Sequence, residues 1–496
     1  MHDIIVIGGG PAGVTAALRV RELGAKVALV ERGQMGGTCT NDGCVPTRVL
    51  AKAARLLRDA QQFTEYGLVG EAPRVDFAGV LASAQRTVYQ IHEKKQLLNH
   101  LEQAGVTVYP NAGLAQFTDP HTIELTDGHA LQGKKFIVCA GGRAHRLTFP
   151  GSEHALTHSD VWSLKSFPGS VVVVGGAATG CQLATVFDTF GAQVTILDVA
   201  PGVLGREDEL VSKVMEEAFQ RRGIRVITGI EGIERIDKTG SELSLSYSKR
   251  GESQTITVEA VILATGWPSN ANGLNLEVSG VQIERGYVVV DDYLRTTAEH
   301  IFAAGDITGR MMLVQSASYE ARIAAENAVL GVGLPYAHHI VPHGGFTDPE
   351  YGSVGLTEAQ AESVEGGYEV AVVPFAEMDR AVIDGRTEGF CKLIVSKETH
   401  RILGAHIVGE QALEVIHLVA AGMAADMWVE QLAELEIAYP TFTAIVGLAA
   451  RQILHDLGVV PLSSQWRTLG KTPAAEWERN DATGDWRSTG DSTSPS

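Results

Sequence analysis

The first apolar run of the chain, Ile4-Ile5-Val6-Ile7, is continuous rather than alternating, and it ends at Gly8. A short β-branched run without a polar break predicts a strand buried on both faces that enters a glycine turn. The pattern returns. Ile4-Ile5-Val6-Ile7-Gly8-Gly9-Gly10-Pro11-Ala12-Gly13 aligns with Val171-Val172-Val173-Val174-Gly175-Gly176-Ala177-Ala178-Thr179-Gly180 at an offset of 167 residues. At the same offset Leu23-Gly24-Ala25-Lys26-Val27-Ala28-Leu29-Val30-Glu31 aligns with Phe190-Gly191-Ala192-Gln193-Val194-Thr195-Ile196-Leu197-Asp198. Each unit reads strand, glycine turn, helix, strand, then an acid 18 residues after the last glycine. Further apolar runs end at Gly141-Gly142, Gly266 and Gly305-Asp306. The first two read as strands that return the chain between domains, the third as a strand ending in a carboxylate. From Ser463 the periodicity stops, and residues 461–496 read as a disordered tail that nonetheless holds Trp466, Trp477 and Trp486.

The repeated unit has the parts of a dinucleotide-binding βαβ element. Gly8, Gly10, Gly13 and Gly175, Gly180 let a helix N-terminus face a pyrophosphate, while Glu31 and Asp198 accept hydrogen bonds from ribose hydroxyls. One such fingerprint is weak; two in register are specific. The second copy departs at Ala177, whose methyl crowds the pyrophosphate approach. Asp198 favours NADH over NADPH, because Arg206, the one nearby base, is followed by Glu207 and Asp208.

Composition narrows the class. The 496 residues, with 55 glycines, are too many for one core and suit three α/β-type domains. A net charge of -19 argues against nucleic acid or an anionic membrane as partner. No apolar run reaches the roughly 18 residues of a membrane span, and the strand beginning at Asp3 leaves no room for a leader, so a cytoplasmic location is expected. Five cysteines are too few for a disulfide scaffold. Cys39 and Cys44, close behind the first fingerprint in Gly36-Gly37-Thr38-Cys39-Thr40-Asn41-Asp42-Gly43-Cys44-Val45-Pro46, are a candidate redox dithiol. Cys139, Cys181 and Cys391 sit in apolar contexts and read as core residues. The histidines show no metal-ligand spacing, so no metal site is expected.

These motifs together resemble the pyridine nucleotide-disulfide oxidoreductases, the flavoprotein disulfide reductases that include mercuric reductase and dihydrolipoamide dehydrogenase. The likeness runs from Asp3 to about Leu457 and includes Phe346-Thr347-Asp348-Pro349-Glu350 and Val354-Gly355-Leu356-Thr357. It implies two Rossmann-like domains plus a C-terminal α+β dimerisation domain. FAD would be bound by residues 1–145 and 270–340, NAD(P) by 146–269, and a homodimer would form through 341–460. It further implies that Gly37, Thr38, Gly141, Gly266, Gly305, Asp306 and Gln182 serve the cofactors. Cys44 would be the thiolate against the flavin and Cys39 the outer thiol that meets the acceptor.

The chain departs from the family where disulfide-using members carry a His-Glu dyad. Tyr439 and Ala444 stand there, in Tyr439-Pro440-Thr441-Phe442-Thr443-Ala444. A tyrosine, with a pKa of about 10, shuttles protons poorly at neutral pH, so turnover of disulfides should be weak. Mercuric reductase has a tyrosine there too, but its C-terminal vicinal cysteines have no counterpart. Arg48 and Gln182 replace a Lys-Glu pair beside the flavin, and Trp267 replaces an arginine. The expectation is an NAD(P)H oxidoreductase that passes electrons through FAD and Cys39–Cys44 to a metal ion, quinone or small disulfide. A dihydrolipoamide dehydrogenase with an altered acid–base group, and a flavin-bearing redox sensor, are the alternatives.

Overall fold

The computed structural model describes residues 1–331, 333–337 and 340–459. The predicted tail and its three tryptophans lie outside them, as do His338 and His339.

Both repeated units fold as the apolar pattern implies. In the first, strand β1 (His2–Ile7) leads into helix α1 (Pro11–Glu22) and returns as strand β2 (Val27–Val30), parallel to β1. Pro11 opens α1, where its missing N–H costs no hydrogen bond. The parallel core continues through Thr107–Tyr109 on one side and Ala130–Val138 on the other, with Ile301–Ala303 at the far edge of the latter. In the second unit Ser170–Val174 pairs in parallel with Gln193–Leu197 and with Ala260–Leu263. The strands ending at 138 and 263 are therefore central strands of their sheets. Only the segments after them cross between the two halves, joined by Arg143 N–Pro268 O at 3.0 Å and Asn270 N–Gly141 O at 2.9 Å.

The third unit is an antiparallel five-stranded sheet, ordered His343–Gly345, Glu350–Gly355, Ile402–Gly409, Phe390–Ser396, Tyr368–Pro374. Helices Ala412–Ala424 and Ala444–Asp456 cover one face of it with Val415, Ile416, Val419, Ile445, Ala449 and Ile453, all buried.

Charged residues lock the three units together. On helix α3, Arg58 pairs with Asp348 at 2.6 Å and Glu410 at 3.0 Å, and Arg55 with Glu350 at 2.8 Å; α3 spans Cys44–Ala60. Arg222 bridges Asp188 and Asp348. Glu207 and Asp208 take part in such contacts between units. Ser353 donates to Glu207 at 2.7 Å, and buried Lys392 pairs with Asp208 at 2.8 Å. Arg206, next to them in the chain, is exposed.

Candidate active site: the Cys39–Cys44 loop and its cofactor cradle

The two glycine turns are built by the same contacts, residue for residue. Glu31 accepts from Gly9 N at 2.5 Å and Gly33 N at 2.7 Å. Asp198 accepts from Gly176 N at 2.5 Å and Ala200 N at 2.7 Å. Each acid thus orders its own turn. Gly8 and Gly175 have φ of +112° and +108°, and a Cβ on either would strike the carbonyl of Cys139 or Ala264, at 2.2 and 2.4 Å. Only glycine fits. A Cβ at Gly10 would meet nothing closer than Gly37 Cα at 3.7 Å, so its counterpart Ala177 causes no clash within the protein.

The cysteine box packs on the first turn. A Cβ on Gly37 would lie 2.8 Å from Gly10 Cα, which brings helix α2 (Gly37–Asn41) directly over the first glycine turn. Thr38 O accepts from Asp42 N at 3.0 Å and Gly43 N at 2.7 Å, folding the loop so that Cys39 and Cys44 meet. Cys44 is the first residue of the 17-residue α3, where the helix N-terminus favours a thiolate. The Cys39 thiol donates to Cys44 and holds its pKa down to about 7, against partial desolvation. Cys39 is correspondingly pushed up, first by that contact, while nearby Lys95 works the other way. Cys139, Cys181 and Cys391 are buried, and burial raises all three thiols.

Asp306 follows the strand Ile301–Ala303, and burial raises its carboxyl. Trp267, which stands where the family has an arginine, has a specific contact here: its Nε1 donates to Asp306 Oδ2 at 2.8 Å. Gly305 N donates to buried Glu320 at 2.6 Å, a partner with no sequence signal. Gly141 and Gly266 both have positive φ, in the segments that cross between the halves.

Arg48 and Gln182 meet through Phe346 and not through each other. The Arg48 guanidinium lies 4.3 Å from the Phe346 ring centre and 3.5 Å from Glu350, while Gln182 Oε1 accepts from Phe346 N at 3.1 Å. Tyr439 stands apart on the surface of this chain, 76% exposed, its hydroxyl donating to Asp379 at 2.6 Å.

The residues fit FAD and a nicotinamide nucleotide. Beyond the paired turns, Thr265 Oγ1 and Ser316 Oγ are buried without a hydrogen-bond partner. Thr265 abuts the second glycine turn, and Ser316 lies in the first turn of the helix Val314–Leu330, just past Asp306. Buried hydroxyls rarely stay unpaired, so both are unusual in the chain taken alone.

Comparison with known proteins agrees with this construction. Residues 2–321 match the family described as pyridine nucleotide-disulphide oxidoreductase, and residues 341–450 match its dimerisation domain. The chain is 32% identical to a mercuric reductase of Bacillus cereus over 93% of its own length and 73% of that protein's. It is 30% identical to a dihydrolipoyl dehydrogenase of Bacillus subtilis, over 90% and 97%. Among solved structures it resembles the HOCl-induced flavoprotein disulfide reductase RclA from Escherichia coli, with a TM-score of 0.80 and 26% identity over 91% of this chain and 100% of that one. A Cu(II) complex of the same reductase matches at 0.80 and 27%, over 91% and 99%. With two dinucleotide-binding units, a dithiol at a helix N-terminus beside the first, and a matching dimerisation domain, the chain belongs to the pyridine nucleotide-disulphide oxidoreductases and is a flavin-dependent enzyme of that family.

Proposed function

We propose that this enzyme oxidises NADH and passes the electrons through FAD and the Cys39–Cys44 pair to a soft metal ion, with quinones and small disulfides as secondary acceptors. The observation that carries the reading is the paired thiols at the start of α3, with Cys44 held near neutral pKa beside the first pyrophosphate turn. Bound FAD would relay two electrons between the nicotinamide and the disulfide. On this reading residues 1–145 and 270–340 hold FAD, 146–269 hold the nucleotide, and 341–460 pair two copies.

Gly8, Gly10, Gly13, Glu31, Gly37 and Thr38 would shape the FAD pyrophosphate end, with Gly141, Gly305 and Asp306 beside the rest of the cofactor. Gly175, Gly180, Gln182, Asp198 and Gly266 would receive NADH. Asp198 supports NADH because a carboxylate at the end of the second βαβ unit favours a free ribose 2′-hydroxyl over a 2′-phosphate. The metal acceptor is supported by relatives named mercuric reductase, by a neighbour solved with Cu(II), and by Tyr439 in place of a histidine. Arg48 would bring positive charge to the dithiol side of the flavin.

Anaerobic titration with NADH tests the reading. Two electrons should produce a long-wavelength thiolate-to-flavin absorption that disappears in Cys44→Ser, and Hg(II) or Cu(II) should reoxidise the enzyme faster than lipoamide. Purified protein that binds no flavin, or a reduced form whose cysteines leave turnover intact when alkylated, would refute it.

A further inference from the structure

Asp42 is the one charged residue between the two cysteines, and its carboxylate and carbonyl both reach out of the loop into the nucleotide-binding half. Ser159 Oγ donates to Asp42 Oδ2 at 2.6 Å, and Trp162 Nε1 donates to Asp42 O at 2.9 Å. Both donors come from the short helix His158–Val161 and the residue after it, which follow the strand Leu156–Thr157 of the nucleotide sheet. The preceding loop residue is held from the opposite side. His92, on helix α4 (Phe77–Lys95), places Nε2 2.7 Å from Asn41 Oδ1, while Asn41 Nδ2 donates to Met35 O at 3.1 Å. Consecutive residues of the redox loop are therefore anchored to two different halves of the molecule.

The Asp42 anchor is the end of a longer chain of contacts. Ser159 Oγ lies 3.3 Å from His158 Nε2, so the hydroxyl accepts from the imidazole while donating to Asp42. The His158 ring is 5.4 Å from that of Trp267, and the Trp267 indole donates to Asp306 at 2.8 Å. Burial lowers the His158 pKa, against Asp42 and Asp160. One line of side chains thus runs from the dithiol loop to the carboxylate expected beside FAD.

This matters because the loop has to change shape during turnover. A disulfide holds its sulfurs about 2.05 Å apart, whereas separate thiols sit more than an ångström further away. We propose that Ser159 and Trp162, acting through Asp42, are positioning residues that latch the dithiol loop to the nucleotide-binding half and so set the rate at which Cys39–Cys44 is reduced. The proposal rests on the reading of that pair as the redox centre. In the step concerned, NADH supplies two electrons and one proton; the S–S bond breaks, Cys39 ends as the thiol, Cys44 as the thiolate, and NAD⁺ leaves.

The test uses the holoenzyme and the variants Ser159→Ala, Ser159→Thr and Trp162→Phe. Anaerobic stopped-flow mixing with NADH separates flavin bleaching from growth of the thiolate-to-flavin absorption. Loss of a charge-assisted hydrogen bond should slow the second phase roughly tenfold in Ser159→Ala and leave the first unchanged, with Ser159→Thr restoring it. A second readout needs no turnover: alkylation of the pre-reduced dithiol by iodoacetamide. Release of the loop should change that rate severalfold in Ser159→Ala, with Ser159→Thr staying at the wild-type value. Wild-type behaviour of Ser159→Ala in both assays overturns the latch. If that variant sheds its flavin, Trp162→Phe, which keeps the ring and loses the donor, decides in the same two assays. Absence of any thiolate-to-flavin absorption in the wild type would instead overturn the redox reading and the latch with it.

Discussion

Replacing Cys39 by alanine removes the thiol that hydrogen-bonds the Cys44 thiolate, and the Cys44 pKa should rise. In the structure that contact is the largest influence on Cys44, whose pKa is held at about 7. A hydrogen bond to a charged group contributes about 1.5–3 kcal/mol, and one pKa unit corresponds to about 1.4 kcal/mol. The expected shift is therefore about one to two units, placing Cys44 at roughly 8–9. The helix N-terminus is unchanged and limits the rise. At pH 7 the thiolate fraction should fall from roughly one half to below roughly one tenth. Cys39→Ser, which keeps a hydroxyl donor, should stay near pH 7. The sign is fixed by the chemistry: thiolate exists above the pKa and is lost as pH falls, so the alanine variant loses it at higher pH. The rate of alkylation by iodoacetamide against pH reads this directly, because the other three cysteines are buried. Superimposable profiles for the alanine and serine variants would refute the assignment of the Cys39 thiol as the group that lowers Cys44.

Trp267→Phe removes the donor to Asp306 and should weaken FAD binding roughly tenfold, read from the fluorescence of released flavin; unchanged affinity would leave Trp267 with packing alone. Ala177→Gly should lower KM for NADH severalfold at constant kcat, because the methyl meets only the space where a pyrophosphate would approach; an unaltered KM would exclude that crowding. Asp348→Asn tests the ion pairs that hold the three units together. Burial alone would raise the Asp348 carboxyl, but Arg58 and Arg222 outweigh it and hold its pKa below the ordinary value. A depressed carboxyl stabilises the fold above its unfolded pKa of about 3.9 and loses that contribution as pH falls through the folded value. Asp348→Asn should thus cost about 3 kcal/mol in urea unfolding at pH 7, with the gap narrowing below about pH 3.9; a gap independent of pH would show that the charge is not responsible.

Much of the fold was legible in local pattern. Ile4–Ile7 and Val171–Val174 are unbroken apolar runs, and a strand buried on both faces leaves that signature whatever surrounds it. The glycines at 8, 13, 175 and 180 were legible for a similar reason: each meets a backbone atom only a few residues away or on the adjacent strand. The central placement of the strands ending at 138 and 263 was not, since an apolar run does not name its neighbours. Trp267 could be marked as an oddity, yet its partner Asp306 lies 39 residues on, and no spacing announces such a pair.

By itself, the sequence determined the repeated βαβ units, the paired cysteines beside the first of them, and the Tyr439 and Ala444 that stand where the resemblance implies a His-Glu dyad. These are properties of residue type and short-range order, and backbone sterics and side-chain chemistry act over that same range. Only the tertiary structure decided that Glu207 and Asp208 turn toward Ser353 and Lys392, that Arg48 and Gln182 meet at Phe346, and that Asp42 reaches Ser159, 117 residues away. A hydrogen bond or ion pair depends on approach within a few ångströms, and between residues so far apart in the chain that approach exists only after the sheets have packed.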